Sequence, residues 1–261
     1  MIRAMWSAAQ GMKVQSARVD GVSHNLANLN TPGYKAVQVQ AADLDYHTWP
    51  GESRAPRGIW PGQMVQLGAG ARTLATRRDL AEGSLMPTER PLDLAIQGDS
   101  YFRLLGAGGE EYYTRDGSFR LDGDGRLVTV DGLLVLDDRG QPVAIGEAAG
   151  VEITPSGEVL ALSGGEAEPL GQIGLARFEN PEGLMAMGDN LFSPTEESGQ
   201  AGDAWAGGTR PVIRQGYLES SNSDLAREMV TALLAQRAYE FNSRTLRTLD
   251  EMWGLANDVR A

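Results

Sequence analysis

An α+β protein is predicted by two amphipathic stretches at the ends of the chain and a long middle of short apolar runs broken by Asp-Gly turns. The expected architecture has long N- and C-terminal helices paired as a coiled-coil-like hairpin, an extended connector, and a central, mostly antiparallel β domain. In residue terms, 1–30 with 222–261 form the helical domain, 31–83 the connector, 84–215 the β domain and 216–221 the return connector.

The N-terminal helix is read from steps of three and four through Ile2, Met5, Ala9, Met12, Ser16, Val19, Ser23 and Leu26, a seam that Ser16 and Ser23 weaken. Asn28, Asn30, Thr31, Pro32 and Gly33 end it, all of them turn or cap residues. A longer helix is read from Val230, Leu234, Ala238, Phe241, Thr245, Leu249, Met252, Ala256 and Val259, whose mean step is about 3.6, the straight α-helical period. Ser223 or Asp224 can cap its first turn. Glu240–Arg244 and Arg247–Glu251 are spaced for i,i+4 pairs on its outer face.

Residues 43–70 are rich in Pro, Gly and isolated aromatics (Tyr46, Trp49, Trp60) and lack periodicity, so they read as an extended excursion. In 84–215, Asp116-Gly117, Asp122-Gly123, Asp124-Gly125 and Asp131-Gly132 are hairpin-type dipeptides suited to positive φ. Leu127–Val130 and Leu133–Leu136 flank the last of these as paired strands would.

Composition narrows the function classes. The 261 residues are 41% hydrophobic and 22% charged, ordinary for a folded chain; 33 glycines with only 7% aromatics suggest many turns. A net charge of −12 without a Lys/Arg cluster argues against a nucleic-acid surface, which must displace counterions from phosphates. The absence of cysteine excludes disulfides, zinc–thiolate sites and Cys nucleophiles. No apolar run reaches the roughly 18 residues of a membrane span. No cleavable signal is expected at the start of the chain, because Gln10, Lys13 and Gln15 break its weak apolar run.

Three short motifs imitate chemistry. Gly98-Asp99-Ser100 resembles a hydrolase nucleophile motif, but both histidines, His24 and His47, lie upstream, and a serine without a base is a weak nucleophile. Asp122-x-Asp124 could begin a calcium loop, yet Arg126 and Leu133 occupy positions that need oxygen ligands. Gly68-Ala69-Gly70 lacks the third glycine and the βαβ setting of a dinucleotide loop. No catalytic, metal or cofactor-binding residues are assigned.

The helices pose a physical problem of their own. A lone amphipathic helix is marginal in water, because its stability comes from burying its stripe. Two such helices at opposite termini cover each other only in part, so further copies of the chain are expected on what remains. A head-to-tail contact that does not close makes a helical filament.

His24-Asn25-Leu26-Ala27-Asn28-Leu29-Asn30-Thr31-Pro32-Gly33-Tyr34-Lys35 closely resembles the N-terminal signature of the flagellar rod and hook protein family. Gln215–Asn222, Glu228-Met229-Val230 and Gln236–Glu240 resemble its C-terminal signature, and Pro91–Gly98 with Tyr113–Phe119 its central β region. The resemblance spans nearly the whole chain and is strongest to distal-rod members. Another rod protein of similar size, of proximal type or a Gram-positive paralogue, is the alternative within the family. A serine hydrolase using Ser100 and a carbohydrate-binding module are the alternatives outside it. Ser100 and Tyr101 depart from the family's usual Gly and Phe, and Ser223-Asp224 from a more apolar pair.

The resemblance implies a non-enzymatic subunit without cofactor that assembles helically with itself into a rigid hollow shaft. It implies a rod-type segment near 46–66 that locks neighbours together. Implied partners are further copies, proximal rod proteins, the hook protein, surrounding ring proteins where present, and the flagellar export apparatus. Neither nucleic acid nor a membrane span is expected. Export would proceed without a cleavable signal, to a basal body spanning the cell envelope. The interface candidates are Asn25, Leu26, Asn28, Thr31, Gly33, Tyr34, Trp49, Trp60, Val230, Leu234, Phe241, Leu249 and Met252. For Asn25, Asn28, Thr31 and Gly33, simple capping of the first helix is the competing reading.

Overall fold

A computed structural model describes residues 2–49, 65–146, 150–163, 166–206 and 210–258. The chain forms two compact units: Met1–Leu26 with Val37–Arg77 and Asp224–Ala261, and Ala27–Ala36 with Arg78–Ser223.

The first unit contains the two helices, α1 (Ile2–Ala27) and α2 (Leu225–Asp258). It also holds β1 (Val37–Asp43) paired with β4 (Ala71–Arg78), and β2 (Tyr46–Trp49) antiparallel to β3 (Val65–Gly68). Asp224 is the cap of α2: its Oδ1 accepts from the Ala226 and Arg227 amides at 2.8 and 3.1 Å, holding two of the first-turn donors that have no partner inside the helix. Asn25 donates to Glu228 Oε1 at 3.0 Å, and Gly11 faces Asn242, so the two chain directions are opposed.

Glycine inside a helix costs up to about 1 kcal/mol relative to alanine. On α1 that cost accompanies close approach. A methyl at Gly11 would stand 2.8 Å from Asn242 Nδ2, and one at Gly21 would stand 3.1 Å from Val39 of β1. The buried positions of α1 are therefore Ala8, Val14, Val22 and Asn25. That stripe is displaced from the expected seam, in which Ser16, Ser23 and Leu26 are exposed. Residues no larger than valine and asparagine set the buried face; Met5, Met12 and Val19 are half-buried, and Trp6 and Leu26 are exposed.

The second unit is β structure with one short 3-10 helix, Pro181–Gly183. Its strands are β5 (Leu85–Pro87), β6 (Leu94–Gln97), β7 (Tyr101–Leu105), β8 (Glu111–Thr114), β9 (Arg120–Leu121), β10 (Leu127–Val128) and β11 (Leu134–Val135). These are followed by β12 (Gly150–Ile153), β13 (Glu158–Ser163), β14 (Glu166–Gln172), β15 (Leu175–Arg177), β16 (Met185–Gly188) and β17 (Leu191–Ser193). β18 (Gly202–Asp203), β19 (Val212–Gln215) and β20 (Tyr217–Glu219) complete the unit. The largest sheet runs β16-β17-β8-β7-β11-β10-β9, with β15 pairing β7 and β18; β12-β13-β14 is a meander, and β19 pairs β6 as β20 pairs β5. Every register that connects these strands is antiparallel.

Successive side chains of a strand point to opposite faces, and β7 uses both. Phe102 and Leu104 enter the main core with Leu94, Ile96, Phe119 and Ile213. Tyr101 points into a separate aromatic cluster with Tyr113, Phe178 and Phe192. Edge-to-face contacts at 4.9–5.9 Å order that cluster.

Two of the Asp-Gly turns behave as read. Gly132 (φ +86°) turns β10 into β11, and Gly125 (φ +72°) lies in the turn between β9 and β10. Gly117 does not turn a hairpin. It lies against Leu94, whose amide donates to the Gly117 carbonyl at 3.0 Å, and a methyl there would fall on the Leu94 carbonyl oxygen. Gly117→Ala is expected to cost about 3 kcal/mol by chemical denaturation, as overpacking does. Gly123→Ala, whose added methyl meets nothing within 4 Å, should stay within about 0.5 kcal/mol of the parent. Equal effects at the two positions would contradict this packing.

Candidate functional site

The residues after α1 are held by side-chain amides. Asn25 is buried; its Oδ1 accepts from the Val37 amide at 2.8 Å and its Nδ2 donates to the Val37 carbonyl at 2.9 Å. One side chain thus completes both backbone groups of a residue at the start of β1, as a neighbouring strand would. Asn222 serves the preceding residue. Its Oδ1 accepts from the Ala36 amide at 2.7 Å and its Nδ2 donates to the Asp79 carbonyl at 2.7 Å. Asn28 and Thr31 form a local turn, with Thr31 N to Asn28 O at 3.1 Å and Thr31 Oγ1 to Asn28 Oδ1 at 3.2 Å.

Gly33 has the expected positive φ, +68°, but its role is not to end α1. A methyl there would stand 2.7 Å from the backbone of Arg115 and Asp116, and its amide donates to the Glu219 carbonyl at 2.8 Å. Tyr34 is buried beside it, while Leu26 is exposed.

Against this crossing lies a buried charge cluster that the sequence reading did not anticipate. Lys35, Glu219 and Arg115 are only 1%, 2% and 3% exposed. Lys35 Nζ donates to Glu219 Oε1 at 2.6 Å and to the Ala81 carbonyl at 2.7 Å. The Gly83 amide donates to the same carboxylate oxygen at 2.9 Å, and Arg115 Nη1 is 3.6 Å from Oε2. The Arg115 guanidinium also lies over the Tyr101 ring, 5.0 Å from its centroid, which joins the ions to the aromatic cluster. Desolvation lowers the Lys35 pKa, opposed by the Glu219 charge and hydrogen bond. Burial likewise raises that of Tyr101, and Arg115 opposes it. The signal available in the sequence was weak: each charge sits inside an otherwise apolar or small motif, but 184 positions separate the partners.

The apolar face read on α2 is largely uncovered. Val230, Leu234 and Phe241 are 56%, 65% and 66% exposed. Met252 is exposed too, and Leu249 is half-buried. The covered side carries Ala235, with Ala232, Ala238, Asn242 and Leu246 partly shielded. Glu240 pairs with Arg237 at 3.0 Å, one turn N-terminal, in place of the expected Arg244. Trp49 lies in β2, its side chain outside the described residues, and Trp60 falls wholly outside them, as does most of the 46–66 segment.

The imitative motifs are absorbed by the fold. Ser100 is buried at the start of β7, its amide bonded to the Gly98 carbonyl at 2.9 Å. Asp122 and Asp124 are bridged by Arg126 at 2.8 and 2.7 Å. Hydrogen bonds to Asp122, first from the Arg126 amide, lower its pKa. An arginine already fills the place a cation would take. Gly68–Gly70 is the link between β3 and β4, with Gly70 packed on Ser7.

A long helix whose apolar stripe is left exposed defines a structural protein built to associate. Comparison with known proteins gives its kind. Family models match at residues 5–35 (Flagella basal body rod protein), 95–161 (Flagellar hook protein FlgE/F/G D1 domain) and 214–259 (Flagellar basal body rod FlgEFG protein C-terminal). The flagellar basal-body rod protein FlgG of Borreliella burgdorferi is 40% identical over 100% of this chain and 99% of its own length. That of Agrobacterium fabrum is 38% identical over 96% and 97%. The flagellar hook-basal body complex protein FlhP of Bacillus subtilis is 32% identical over the whole of both chains. The chain belongs to the flagellar basal-body rod family; it is a structural component of the flagellum and not an enzyme.

Removing one partner of a buried ion pair strands the other charge. Lys35→Met should therefore cost about 3–5 kcal/mol, and Lys35→Met with Glu219→Leu should cost clearly less than the sum of the two single changes, with the buried Arg115 keeping the double variant below the parent. Denaturation of all three variants measures this; additive losses would show that the charges do not depend on each other. At alkaline pH, burial and the Glu111 charge push Tyr113 up to about 12. A folded pKa raised above the ordinary 10 gives stability that is complete below pH 10 and lost as pH rises through about 12. Tyr113→Phe should flatten stability across that window, and an unchanged slope would remove Tyr113 as its source.

Proposed function

We propose that the chain is a subunit of the distal rod of the bacterial flagellar basal body, self-assembling helically into a rigid hollow shaft that carries torque from motor to hook. The exposed apolar stripe of α2 carries the reading. Water opposes about 60% exposure of Val230, Leu234 and Phe241 on one helix, and a row of that length is covered by other copies of the same chain.

In the shaft, α1 and α2 pair as a coiled-coil-like hairpin toward the central channel, and residues 84–215 face outward. The connector 31–83, with its rod-type segment near 46–66, braces neighbouring copies, and 216–221 returns the chain to α2. Interface roles fall to Leu26, Val230, Leu234, Phe241, Leu249 and Met252 on the helices, and to Trp49 and Trp60 in the connector. Asn25, Asn28, Thr31, Gly33 and Tyr34 set the direction in which the connector leaves. Proximal rod proteins adjoin one end of the shaft and the hook protein the other; surrounding rings and the export apparatus complete the partners. The subunit reaches the basal body within the cell envelope without a cleaved signal. Identities of 40% and 38% to FlgG proteins, against 32% to FlhP, favour the distal-rod type over the Gram-positive paralogue.

Cells lacking this chain should show basal bodies by electron microscopy without a completed distal rod or hook. A full-length rod and hook in that strain would overturn the proposal. Phe241→Glu should leave the circular dichroism of the purified chain unchanged, since the ring contributes little to the folded subunit, and should abolish rod completion and swimming. Normal swimming with Phe241→Glu would remove the stripe as the assembly surface.

A further inference from the structure

The two ends of the helix pair differ in a way that suits them to each other. At the end where α1 finishes and α2 starts, Arg18, Val22, Asn25, Val37, Val39, Arg227 and Thr231 line part of a cavity of about 220 Å³. That is below the roughly 300–1,000 Å³ of small-molecule sites and has room for a large side chain. Among the described residues neither Arg18 nor Arg227 makes an ion pair. Glu228, the acid that lines the cavity, accepts from Asn25 at 3.0 Å and keeps its charge; two arginines against this one carboxylate leave the lining with one net positive charge.

At the opposite end, the register in which Asn25 meets Glu228 and Gly11 faces Asn242 sets Ile2 of α1 opposite Glu251. Residues 252–258 are the last described turns of α2. Met252, Trp253 and Leu255 there are 50%, 46% and 66% exposed, and Asp250, Glu251 and Asp258 flank them. An apolar tip with acidic neighbours complements an apolar cavity with arginines at its mouth.

We infer that the α2 tip of one copy, Met252–Leu255, plugs the Arg18/Arg227 cavity of the next copy. The tip cannot reach its own cavity, because Glu228 and Met252 lie about 36 Å apart on one continuous helix. Two different patches in contact form a head-to-tail interface, and such an interface propagates as an open helical array rather than closing into a dimer. This rests on the shaft-forming reading above and adds to it the axial contact and its polarity.

The chain has no cysteine, which gives engineered thiols a clean background. Gln38→Cys places a thiol at the cavity and Leu255→Cys one on the tip; the full-length double variant is expressed in cells lacking the native chain. Mild oxidation of assembled rods should produce a covalent ladder. Two single variants expressed together should give a dimer band, and Leu255→Cys with Arg139→Cys should give neither. Rods that assemble but yield no ladder above that control overturn the inference while leaving the shaft reading intact, and a dimer without a ladder overturns it as well. Should a cysteine variant fail to assemble, charge exchange decides. Arg18→Glu with Arg227→Glu should abolish swimming, and adding Asp250→Arg with Glu251→Arg should restore it; no restoration overturns the inference. If the chain itself does not restore rods to the deficient cells, the shaft reading fails first.

Discussion

A carboxylate 2.6 Å from an ammonium, each side chain about 1% exposed, is the constraint that ties the outgoing and returning segments of the β unit to each other. Each ion carries a desolvation cost of several kcal/mol, which Lys35 Nζ and Glu219 Oε1 offset by hydrogen bonds to each other, to the Ala81 carbonyl and from the Gly83 amide. Lys35 arrives as the chain leaves α1, Glu219 just before it enters α2, and Gly83 and Arg115 from segments between them. The pair therefore forms only when the outgoing and returning strands are both in place. Misplacement of either strand would leave a buried charge alone. Glycines at 33 and 83 permit the backbone crossings that bring the groups together.

The same economy explains the helices. α1 spends Gly11 and Gly21 on close approach to α2 and β1, and so buries small residues. The larger apolar residues of α2, Val230, Leu234 and Phe241, then stay exposed among the described residues. Within one chain this is poor packing; in an assembly it is a row of unfilled contacts. A distal-rod subunit has reason to keep that division. Its own helix pair needs only enough burial to hold direction, and the stripe stays available for neighbours.

The exposed apolar tip of α2 adds polarity to this picture. A symmetric patch would pair copies and stop. A tip at one end and a cavity at the other leave an unused half after every addition, which is the geometric condition for continued growth. Charge does not by itself bind the copies. Arg18 and Arg227 opposite Asp250 and Glu251 would select orientation, while burial of Trp253 and Leu255 would supply most of the favourable free energy.

What could be learned without coordinates was whatever depends on local pattern. Periodicity located α2 almost to its ends, and Asp131-Gly132 marked a hairpin because glycine and aspartate are chosen for backbone angles a few residues can express. Family motifs located the segments that matter. Local pattern misplaced the buried stripe of α1, because periodicity finds apolar residues and the fold buried the small ones. It misread Gly117 as a turn, since an intolerable methyl clash with Leu94 is invisible along the chain. It also missed the Lys35–Glu219 pair, because no spacing rule joins residues 184 apart. Helix content, turn positions and the class of protein were thus written in the chain. Which face is covered, which charge meets which, and where a neighbour can dock were decided only by tertiary packing, since each depends on what the rest of the molecule places opposite.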